Sequence, residues 1–339
     1  MRKLLVFLCA GAACSDKDVD SGSPQLPGEE LALFELGNPV SCPNPIGSFD
    51  RFTEEAAARG LDFEASGWDE MGPCGAPPGG LAATDLDADG DVDLLFTRIH
   101  DGPALYVNEG GLLSELLLGL SSPTPEPNYS VSAVDIDGDD LPEIFSTGLG
   151  YLAMARNLGD LSFSDWEFIH RSDDYPKDCY TTVAHGDVDG DHDLDIFLPG
   201  LDQASDADSI MPEEFADYSP TLDRFFLNED GAFTEVLQMS PEEDELGLSL
   251  LAVFTDRDGD RDLDILQGAD RPWTGILPPA AFWRNEGPSW EGMPQLANDA
   301  DEIGADAYIS AMGMASADLN GDGAMDYCMT DIADQRTCL

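Results

Sequence analysis

The sequence predicts an all-β protein built from repeated four-stranded antiparallel sheets. A nine-residue acidic loop recurs five times, beginning at residues 85, 135, 187, 256 and 318, about 58 residues apart on average. A short strand-like run with mostly small residues precedes the loops, and an Asn-containing turn follows four of the five. Repetition at such a period is typical of proteins that stack one supersecondary unit many times.

The acidic loop reads DLDADGDVD, DIDGDDLPE, DVDGDHDLD, DRDGDRDLD and DLNGDGAMD in its five copies. Each copy has a carboxylate or amide oxygen at positions 1, 3, 5 and 9, counted from its first residue. These candidate metal ligands are Asp85, Asp87, Asp89 and Asp93; Asp135, Asp137, Asp139 and Glu143; Asp187, Asp189, Asp191 and Asp195; Asp256, Asp258, Asp260 and Asp264; and Asp318, Asn320, Asp322 and Asp326. Carboxylates about 4 Å apart repel by several kcal/mol per pair at a surface-like dielectric. The folded loop therefore either holds a cation or turns its carboxylates apart into water.

Hard oxygen ligands at alternate positions of a tight turn favour Ca²⁺, which accepts about six to eight oxygens with loose geometry. Neither Cys nor His recurs at these positions, so a soft metal is not indicated. Five copies in register favour up to five structural calcium ions over acidic turns without metal. Position 6 is Gly90 and Gly323 in two copies, where the turn calls for a positive φ. Asp140, His192 and Arg261 occupy it elsewhere, which makes those loops either strained or different.

An EF-hand is the competing calcium loop, and the sequence argues against it. An EF-hand needs a bidentate Glu at position 12 and a helix on each side. Position 12 here is Phe96, Ser146, Leu198, Gln267 and Met329. The flanking segments are strand-like, so we expect each loop to form the tip of a β-hairpin.

Each loop belongs to a larger unit of four predicted strands. A small residue lies three positions before the first Asp in four copies, a second strand follows the loop, and a third strand ends in the Asn turn. A fourth strand opens at Phe163 and at Phe233 in two units. Four strands in about 58 residues, with small residues on the first, predict a β-propeller blade whose innermost strand is crowded near the axis.

The two ends of the repeat region leave the blade count open. Residues 52–55 carry the same Phe-led pattern as the fourth strands, before any complete unit, and could complete the sheet of the last repeat. That repeat ends at Leu339, with little room for a third strand and none for a fourth. The alternatives are a closed five-bladed propeller and part of a larger one.

Charge limits the partners of this chain. The 339 residues carry 69 acidic and 15 Lys or Arg side chains, a formal net charge of −54. Such a surface repels phosphate backbones, which excludes nucleic acid as a partner. It is typical of a soluble protein in a saline or calcium-containing medium.

Residues 1–14 have the features of an export signal: two basic residues, an apolar run, and small residues before Cys14. The apolar run is too short to span a bilayer. Lipidation of Cys14 and cleavage of an ordinary signal both agree with the sequence. Residues 15–47 are predicted to form a flexible tether and lead-in, and 48–339 the propeller. We therefore expect an exported protein, either a bacterial outer-membrane lipoprotein or a secreted or cell-surface protein, with membrane contact only through the lipid.

The cysteines beyond the signal are compatible with disulfides in an exported protein. We expect Cys42 to pair with Cys74. We also expect Cys328 to pair with Cys338, which leaves Cys179 as the odd cysteine. No CxxC or Cys/His metal spacing is present, so the sequence does not predict zinc.

The loops, the small-residue strands and the "RNLGD…F" pattern together resemble FG-GAP/VCBS repeats of integrin-alpha-like β-propellers. The segments around residues 52–61 and 310–315 resemble more narrowly the bacterial relatives of cartilage acidic protein. The resemblance covers about residues 48–335. It implies calcium at positions 1, 3, 5 and 9 with the position-7 carbonyl, in a structural role. Family members commonly have seven blades and many have a C-terminal ASPIC/UnbV domain, whose absence here favours the reading as part of a larger propeller.

The predicted function is binding or adhesion without catalysis. In a four-stranded blade the acidic loops share one face, and the expanded connections at residues 198–222 and 268–279 lie on the other. With the links near residues 166–180 they could form a surface for a protein or glycan ligand, or be tolerated insertions.

A calcium-dependent carbohydrate-active enzyme, either a polysaccharide lyase or a hydrolase, is the alternative function. His185, near Asp187, is the one candidate general base, although a structural role is favoured. No GxSxG, HExxH, GxGxxG or P-loop pattern is present. The scarcity of Lys and Arg also argues against binding of an anionic polysaccharide.

Overall fold

The computed structural model describes residues 54–64, 79–125, 127–172, 178–201, 221–238, 249–269, 281–288, 294–303, 311–318, 325–331 and 336–338. Within these ranges nearly all regular structure is β, which confirms the predicted fold class. The exceptions are a 3₁₀ turn at Ala57–Arg59 and the helix α1 at Ala300–Ile303. The predicted signal, Cys14 and the tether lie outside the described residues. In the described part of the chain no helix has the length and apolar character needed to cross a membrane.

Five antiparallel sheets follow one another along the chain, each hydrogen-bonded in sequence order. Sheet 1 contains β1 (Leu81–Thr84), β2 (Asp93–Phe96), β3 (Ala104–Glu109) and β4 (Leu112–Leu116). Sheet 2 contains β5 (Asn128–Val134), β6 (Glu143–Gly148), β7 (Tyr151–Ala155) and β8 (Glu167–Arg171). Sheet 3 contains β10 (Ala184–Gly186), β11 (Asp195–Leu198), β13 (Arg224–Glu229) and β14 (Ala232–Gln238). Sheet 4 contains β15 (Ser249–Thr255), β16 (Asp264–Ala269), β17 (Ala281–Pro288) and β18 (Pro294–Asn298). Sheet 5 contains β19 (Ala311–Ala317), β20 (Asp326–Asp331) and β21 (Arg336–Cys338), and a small ribbon pairs β9 (Cys179–Tyr180) with β12 (Gly200–Leu201).

Consecutive sheets pack face to face. Each of four apolar clusters takes its residues from two neighbouring sheets. Between sheets 1 and 2, for example, Leu95 and Leu105 are buried against Val131 and Ile144. The first strands β1 and β5 also lie against each other, as do β10 and β15, and β15 and β19. Each sheet therefore buries apolar side chains against the next one along the chain, which is what propeller blades require, while closure of a ring stays a prediction.

The strand order places the acidic loops and the Asn turns at one end of the sheets and the second-to-third connections at the other. The acidic loops join the first strand to the second, and the Asn turns join the third to the fourth. Because adjacent strands are antiparallel, these two connections share one end of the sheet. The connections from the second strand to the third, including the expanded segments after Leu201 and after Ala269, leave from the other end.

Several sequence expectations about strands are wrong. The fourth strand of sheet 2 is β8, whereas Phe163 makes only an isolated bridge to Asn157. The last repeat does have a third strand, β21, paired with β20. Glu54 and Glu55 are not in a strand. The Phe-led pattern gave a wrong strand prediction because an apolar residue after a turn can pack on a neighbouring sheet without joining the hydrogen-bonded strands of its own sheet.

Residues 54–64 instead cover the face of sheet 1 that is turned away from sheet 2. The Phe63 ring stacks on Phe96 with centroids 4.4 Å apart, and the Tyr106 hydroxyl donates to Asp62 Oδ1 at 2.9 Å. Burial, with Asp62 adding to it, raises the pKa of Tyr106 to about 12. The Cβ of any residue replacing Gly60 would lie 2.2 Å from the Leu113 carbonyl oxygen. Backbone contact this close holds the segment against β4.

The structure changes the expected cysteine pairing. Cys179, which the sequence left as the odd cysteine, is disulfide-bonded, so that expectation is wrong. The register of β20 and β21 places Cys328 directly opposite Cys338. Cys42 and Cys74 lie outside the described residues, and their pairing stays a prediction.

Candidate metal centres

Each described acidic loop is the tip of a β-hairpin, as the sequence predicted. The backbone has positive φ at both position 4 and position 6. The angles are 61° at Ala88 and 96° at Gly90, 74° at Gly138 and 69° at Asp140, 79° at Gly190 and 85° at His192, and 79° at Gly259 and 83° at Arg261. The expectation for position 6 is confirmed at Gly90, whereas Gly323 lies outside the described residues, and three copies tolerate a strained non-glycine residue there. The requirement at position 4 was missed, although Gly at this position in four of the five copies was the signal for it.

These left-handed residues turn the loop amides toward the carboxylate at position 1. In the second loop, Asp135 Oδ1 accepts from the N–H of Gly138 at 2.8 Å, and Oδ2 accepts from that of Asp140 at 2.9 Å. Asp187 accepts from the equivalent amides of Gly190 and His192 at 2.8 and 3.1 Å. The first aspartate therefore shapes the turn and also presents oxygens to its interior.

The carboxylate at position 9 is the most deeply buried group of each loop. Asp93, Glu143, Asp195 and Asp264 are at most 1% exposed. One oxygen accepts from the backbone N–H of position 2, at 2.9, 3.1, 2.8 and 3.0 Å in loops 1 to 4. The other accepts from the backbone N–H of the Asn that ends the third strand, at 2.8, 3.3, 3.0 and 2.8 Å. One side chain thereby ties the loop to both the hairpin tip and the third strand.

Burial acts on the ionisation of these groups. It raises the pKa of Asp195 to about 7 and that of Asp264 to about 6, against the hydrogen bonds from backbone amides, which lower them. Burial likewise raises the pKa of Asp93 and Glu143. At position 3, burial and the neighbouring carboxylates raise the pKa of Asp87. Without a cation, the interior of the loop therefore resists carrying its full negative charge.

The carboxylates converge on single points in four loops. The clusters, with one oxygen from each residue within 4.8 Å of the others, are Asp85, Asp87 and Asp93; Asp135, Asp137 and Glu143; Asp187, Asp189 and Asp195; and Asp256, Asp258 and Asp260. Positions 1, 3 and 9 meet in the first three loops, and positions 1, 3 and 5 in the fourth. The position-5 residues Asp89, Asp139 and Asp191, and also Asp264, are outside these clusters.

The fifth loop is described only in part. Asp318 and Asp326 lie in the described ranges, whereas Asn320 and Asp322 do not. The four candidate ligands predicted there stay a prediction.

The donor set fits calcium. Two oxygens that both contact an ion at about 2.4 Å can be at most about 4.8 Å apart, which the clusters satisfy. All the converging atoms are hard carboxylate oxygens, the type Ca²⁺ prefers. In the second loop the ion would compete with Arg156, whose Nη1 lies 3.3 Å from Asp137 Oδ2.

The Asn of the third strand is a site residue whose contacts the sequence did not reveal. Asn108, Asn157, Asn228 and Asn285 each donate from Nδ2 to the position-8 carbonyl of their own loop, at 3.0, 3.2, 3.2 and 3.4 Å. Their Oδ1 atoms accept from an amide in the following turn. The Asn turn was recognised as a pattern, but only the folded sheet shows that it braces the acidic loop.

His185, the one candidate base, has a structural environment. Its Nε2 lies 3.2 Å from Ser132 Oγ, and its ring packs on Phe145 with centroids 4.6 Å apart. Its buried Nδ1 has no hydrogen-bond partner among the described residues, so no carboxylate orients the ring as a base requires. Burial lowers the pKa of His185 to about 4. The contact with Ser132 joins the first strands of sheets 2 and 3.

Comparison with known proteins supports the repeat assignment for the first two loops. Residues 85–146 match the model of the FG-GAP-like repeat family. No curated protein matches the chain.

Among solved structures, the chain is similar to an Agrocybe aegerita lectin described as recognising non-reducing terminal N-acetylglucosamine. The identity is 17% and the TM-score 0.47, over 74% of this chain and 60% of the lectin. It is also similar to the V. cholerae biofilm matrix protein Bap1, with 15% identity and a TM-score of 0.38, over 74% of this chain and 34% of Bap1. The chain thus spans less than two thirds of the length of each.

Reciprocal substitutions at position 4 test the turn geometry. An Ala at Gly259 meets open space but must adopt a positive φ, so Gly259→Ala should destabilise the calcium-free protein by about 1 kcal/mol. Ala88→Gly relieves the same strain and should stabilise it by a similar amount. Urea unfolding in chelator measures both. Destabilisation by both substitutions would contradict a shared left-handed position.

The buried carboxylates predict an unusual pH dependence in chelator. The folded-state pKa of Asp195 is about 7 against an ordinary value of 3.8, so folding favours its protonated form. That contribution to stability is present below about pH 4 and is lost as the pH rises to about 7. The melting temperature should therefore fall over this interval and fall less steeply in Asp195→Asn. Identical profiles for the two proteins would contradict the assignment.

Proposed function

We propose that this chain is a calcium-stabilised binding or adhesion protein that acts outside the cell and has no catalysis of its own. The observation that carries this proposal is the repetition of one carboxylate cluster at the same end of successive stacked sheets. A repeated oxygen cage serves structure, because one reaction would need only one such site. The protein would carry up to five calcium ions, one in each acidic loop.

Calcium in this proposal maintains the fold. The ion would offset the repulsion among three carboxylates and, in the first three loops, offset the desolvation cost of the buried carboxylate in its ionised form. An ion present at ten times its dissociation constant adds about 1.4 kcal/mol to stability, so five would add about 7 kcal/mol. That sum is comparable with the stability of a typical domain. The folded state of such a protein depends on an environment rich in calcium.

The propeller arrangement is part of the proposal. Four successive face-to-face sheet contacts and the adjacency of first strands support it. A closed five-bladed ring and part of a larger ring both agree with this packing. Export, through a signal at residues 1–14 with or without lipidation of Cys14, agrees with the need for calcium and with the strongly acidic surface.

The proposed ligand surface lies at the end of the sheets opposite the acidic loops. Two expanded connections, residues 202–220 and 270–280, leave from this end but lie outside the described residues. Their bases are joined by a buried network around Asp223. The Asp223 carboxylate accepts from Gly200 N–H at 2.5 Å, from Ser249 Oγ at 2.8 Å and from Gln267 Nε2 at 2.7 Å.

The second expanded connection is anchored through the same network. Trp283, which follows it, donates from Nε1 to Gln267 Oε1 at 2.6 Å. Asp223, Ser249, Gln267 and Trp283 are all buried, at 1%, 1%, 7% and 3% exposure. Connections that begin and end at such a buried hydrogen-bonded network suit the display of a ligand surface for a protein or a glycan.

Calcium removal tests the structural role. Chelation should lower the melting temperature by many degrees, because several kcal/mol of binding free energy are lost. Asp85→Asn combined with Asp87→Asn should remove part of the calcium-dependent shift, whereas the exposed Asp165→Asn should keep it whole. Differential scanning calorimetry with and without chelator measures the shifts. A melting temperature unchanged by chelation would overturn the proposal.

Shortening the first expanded connection tests the ligand surface. Replacing residues 202–219 with a short Gly-Ser linker should abolish capture on a glycan array or of a protein partner while the calcium-dependent melting shift stays. Leu158→Ser, which alters an exposed residue at the acidic-loop end, is the matched control. Unchanged capture by the shortened protein would count against this surface. Release of reducing ends from any bound glycan would count against the absence of catalysis.

A further inference from the structure

A series of asparagine contacts joins each described acidic loop to the next. Asn157, two residues after the third strand of sheet 2, donates from Nδ2 to the Leu86 carbonyl in loop 1, at 2.9 Å. Asn228 in sheet 3 donates to the Ile136 carbonyl in loop 2, at 3.0 Å. Asn285 in sheet 4 donates to the Val188 carbonyl in loop 3, at 2.8 Å. The acceptor is in every case position 2 of the preceding loop.

Each link begins and ends at a buried candidate ligand. In loop 2, for example, Glu143 accepts from the N–H of Ile136. The carbonyl of Ile136 accepts from the Asn228 side chain, and the N–H of Asn228 donates to Asp195 of loop 3. Two residues therefore connect the position-9 carboxylates of neighbouring loops. The same route runs from loop 1 through Leu86 and from loop 3 through Val188.

The links are shielded from water. Asn157, Asn228 and Asn285 are 4%, 1% and 2% exposed, and the carboxylates they join are at most 1% exposed. In such surroundings a broken hydrogen bond is not replaced by one to solvent, so donor and acceptor positions depend strongly on each other. A change in the order of one loop should therefore change the order of the next loop.

We propose that the acidic loops bind calcium cooperatively and that Asn157, Asn228 and Asn285 carry the coupling as positioning residues. This inference rests on the proposed calcium binding. An ion in one loop fixes the carboxylate at position 9 and with it the residue at position 2. The fixed carbonyl holds the next asparagine, whose N–H orders the next buried carboxylate before its own ion arrives. The second ion then binds a site that is already ordered, so its binding costs less conformational entropy.

The chain supplies its own control. Asn108, in sheet 1, makes the same contacts to its own loop, donating from Nδ2 to the Val92 carbonyl and from its N–H to Asp93. Within the described ranges no acidic loop precedes sheet 1, so Asn108 links no pair of loops there. Asn228→Ala removes an own-loop contact and a link, whereas Asn108→Ala removes only the own-loop contact.

Calcium titration of the full chain against a chromophoric chelator, with native mass spectrometry of the partly loaded protein, tests the coupling. The wild type should fill with a Hill coefficient above about 1.5 and with few singly loaded molecules. Asn228→Ala should lower the Hill coefficient and populate intermediates, and should do so more than Asn108→Ala, which disturbs loop 1 without removing a link between described loops. Disabling loop 3 with Asp187→Asn and Asp189→Asn should weaken binding at the remaining loops about fivefold, and by less than about twofold when both links of loop 3 are removed in the Asn228→Ala and Asn285→Ala background.

The outcomes separate this inference from the proposed function. No calcium binding by the wild type would overturn both. Binding with a Hill coefficient of 1, or cooperativity unchanged in Asn228→Ala, would overturn the coupling and leave calcium binding intact. The distribution of calcium-loaded species of the wild type tests cooperativity by itself. A failure of Asn228→Ala to fold therefore does not prevent that test.

Discussion

One buried carboxylate at the end of each of the first four acidic loops connects the parts of a repeat. It bonds to the amide at position 2 of its own hairpin tip and to the amide of the asparagine on the third strand. A charge at less than 2% exposure carries a large desolvation cost, which two neutral amides offset only in part. The raised pKa of Asp195 and of Asp264 expresses that imbalance. The positive charge of a divalent cation at the adjacent oxygens would offset the rest of this desolvation cost.

The left-handed turn makes this arrangement repeatable. Two residues with positive φ let the loop amides bond to its own aspartates, so the turn itself forms from contacts within the loop. Side chains that point outward from the turn, such as Asp140, His192 and Arg261, vary without disturbing the cage. The strain they bear is of the order of 1 kcal/mol each, comparable with the contribution expected of one bound ion.

The connections at the two ends of the sheets differ in their structure. At one end, repeated loops of similar geometry form the acidic cages and are joined by buried asparagines. At the other end, connections of unequal length leave from a base that the Asp223 network makes rigid. Between the ends, apolar clusters bury each sheet against the next. The similar loops at one end and the unequal connections at the other agree with the binding role proposed above.

The amino-acid sequence alone determined the all-β class and the hairpin position of the loops, and it predicted oxygen ligands at positions 1, 3, 5 and 9, because these follow from local periodicity and spacing. Which of these oxygens meet, positions 1, 3 and 9 in three loops and 1, 3 and 5 in the fourth, was decided by the folded loop. Only the tertiary structure decided that Asn228 braces two loops at once, since its acceptor is 92 residues away in sequence. The same holds for Phe163, which leaves the sheet ladder to pack between sheets 1 and 2, and for residues 54–64, which cover sheet 1. Local patterns specify which groups a strand or turn presents. Which of them meet is set by the packing of whole sheets, whose energy is spread over many residues that no short motif contains.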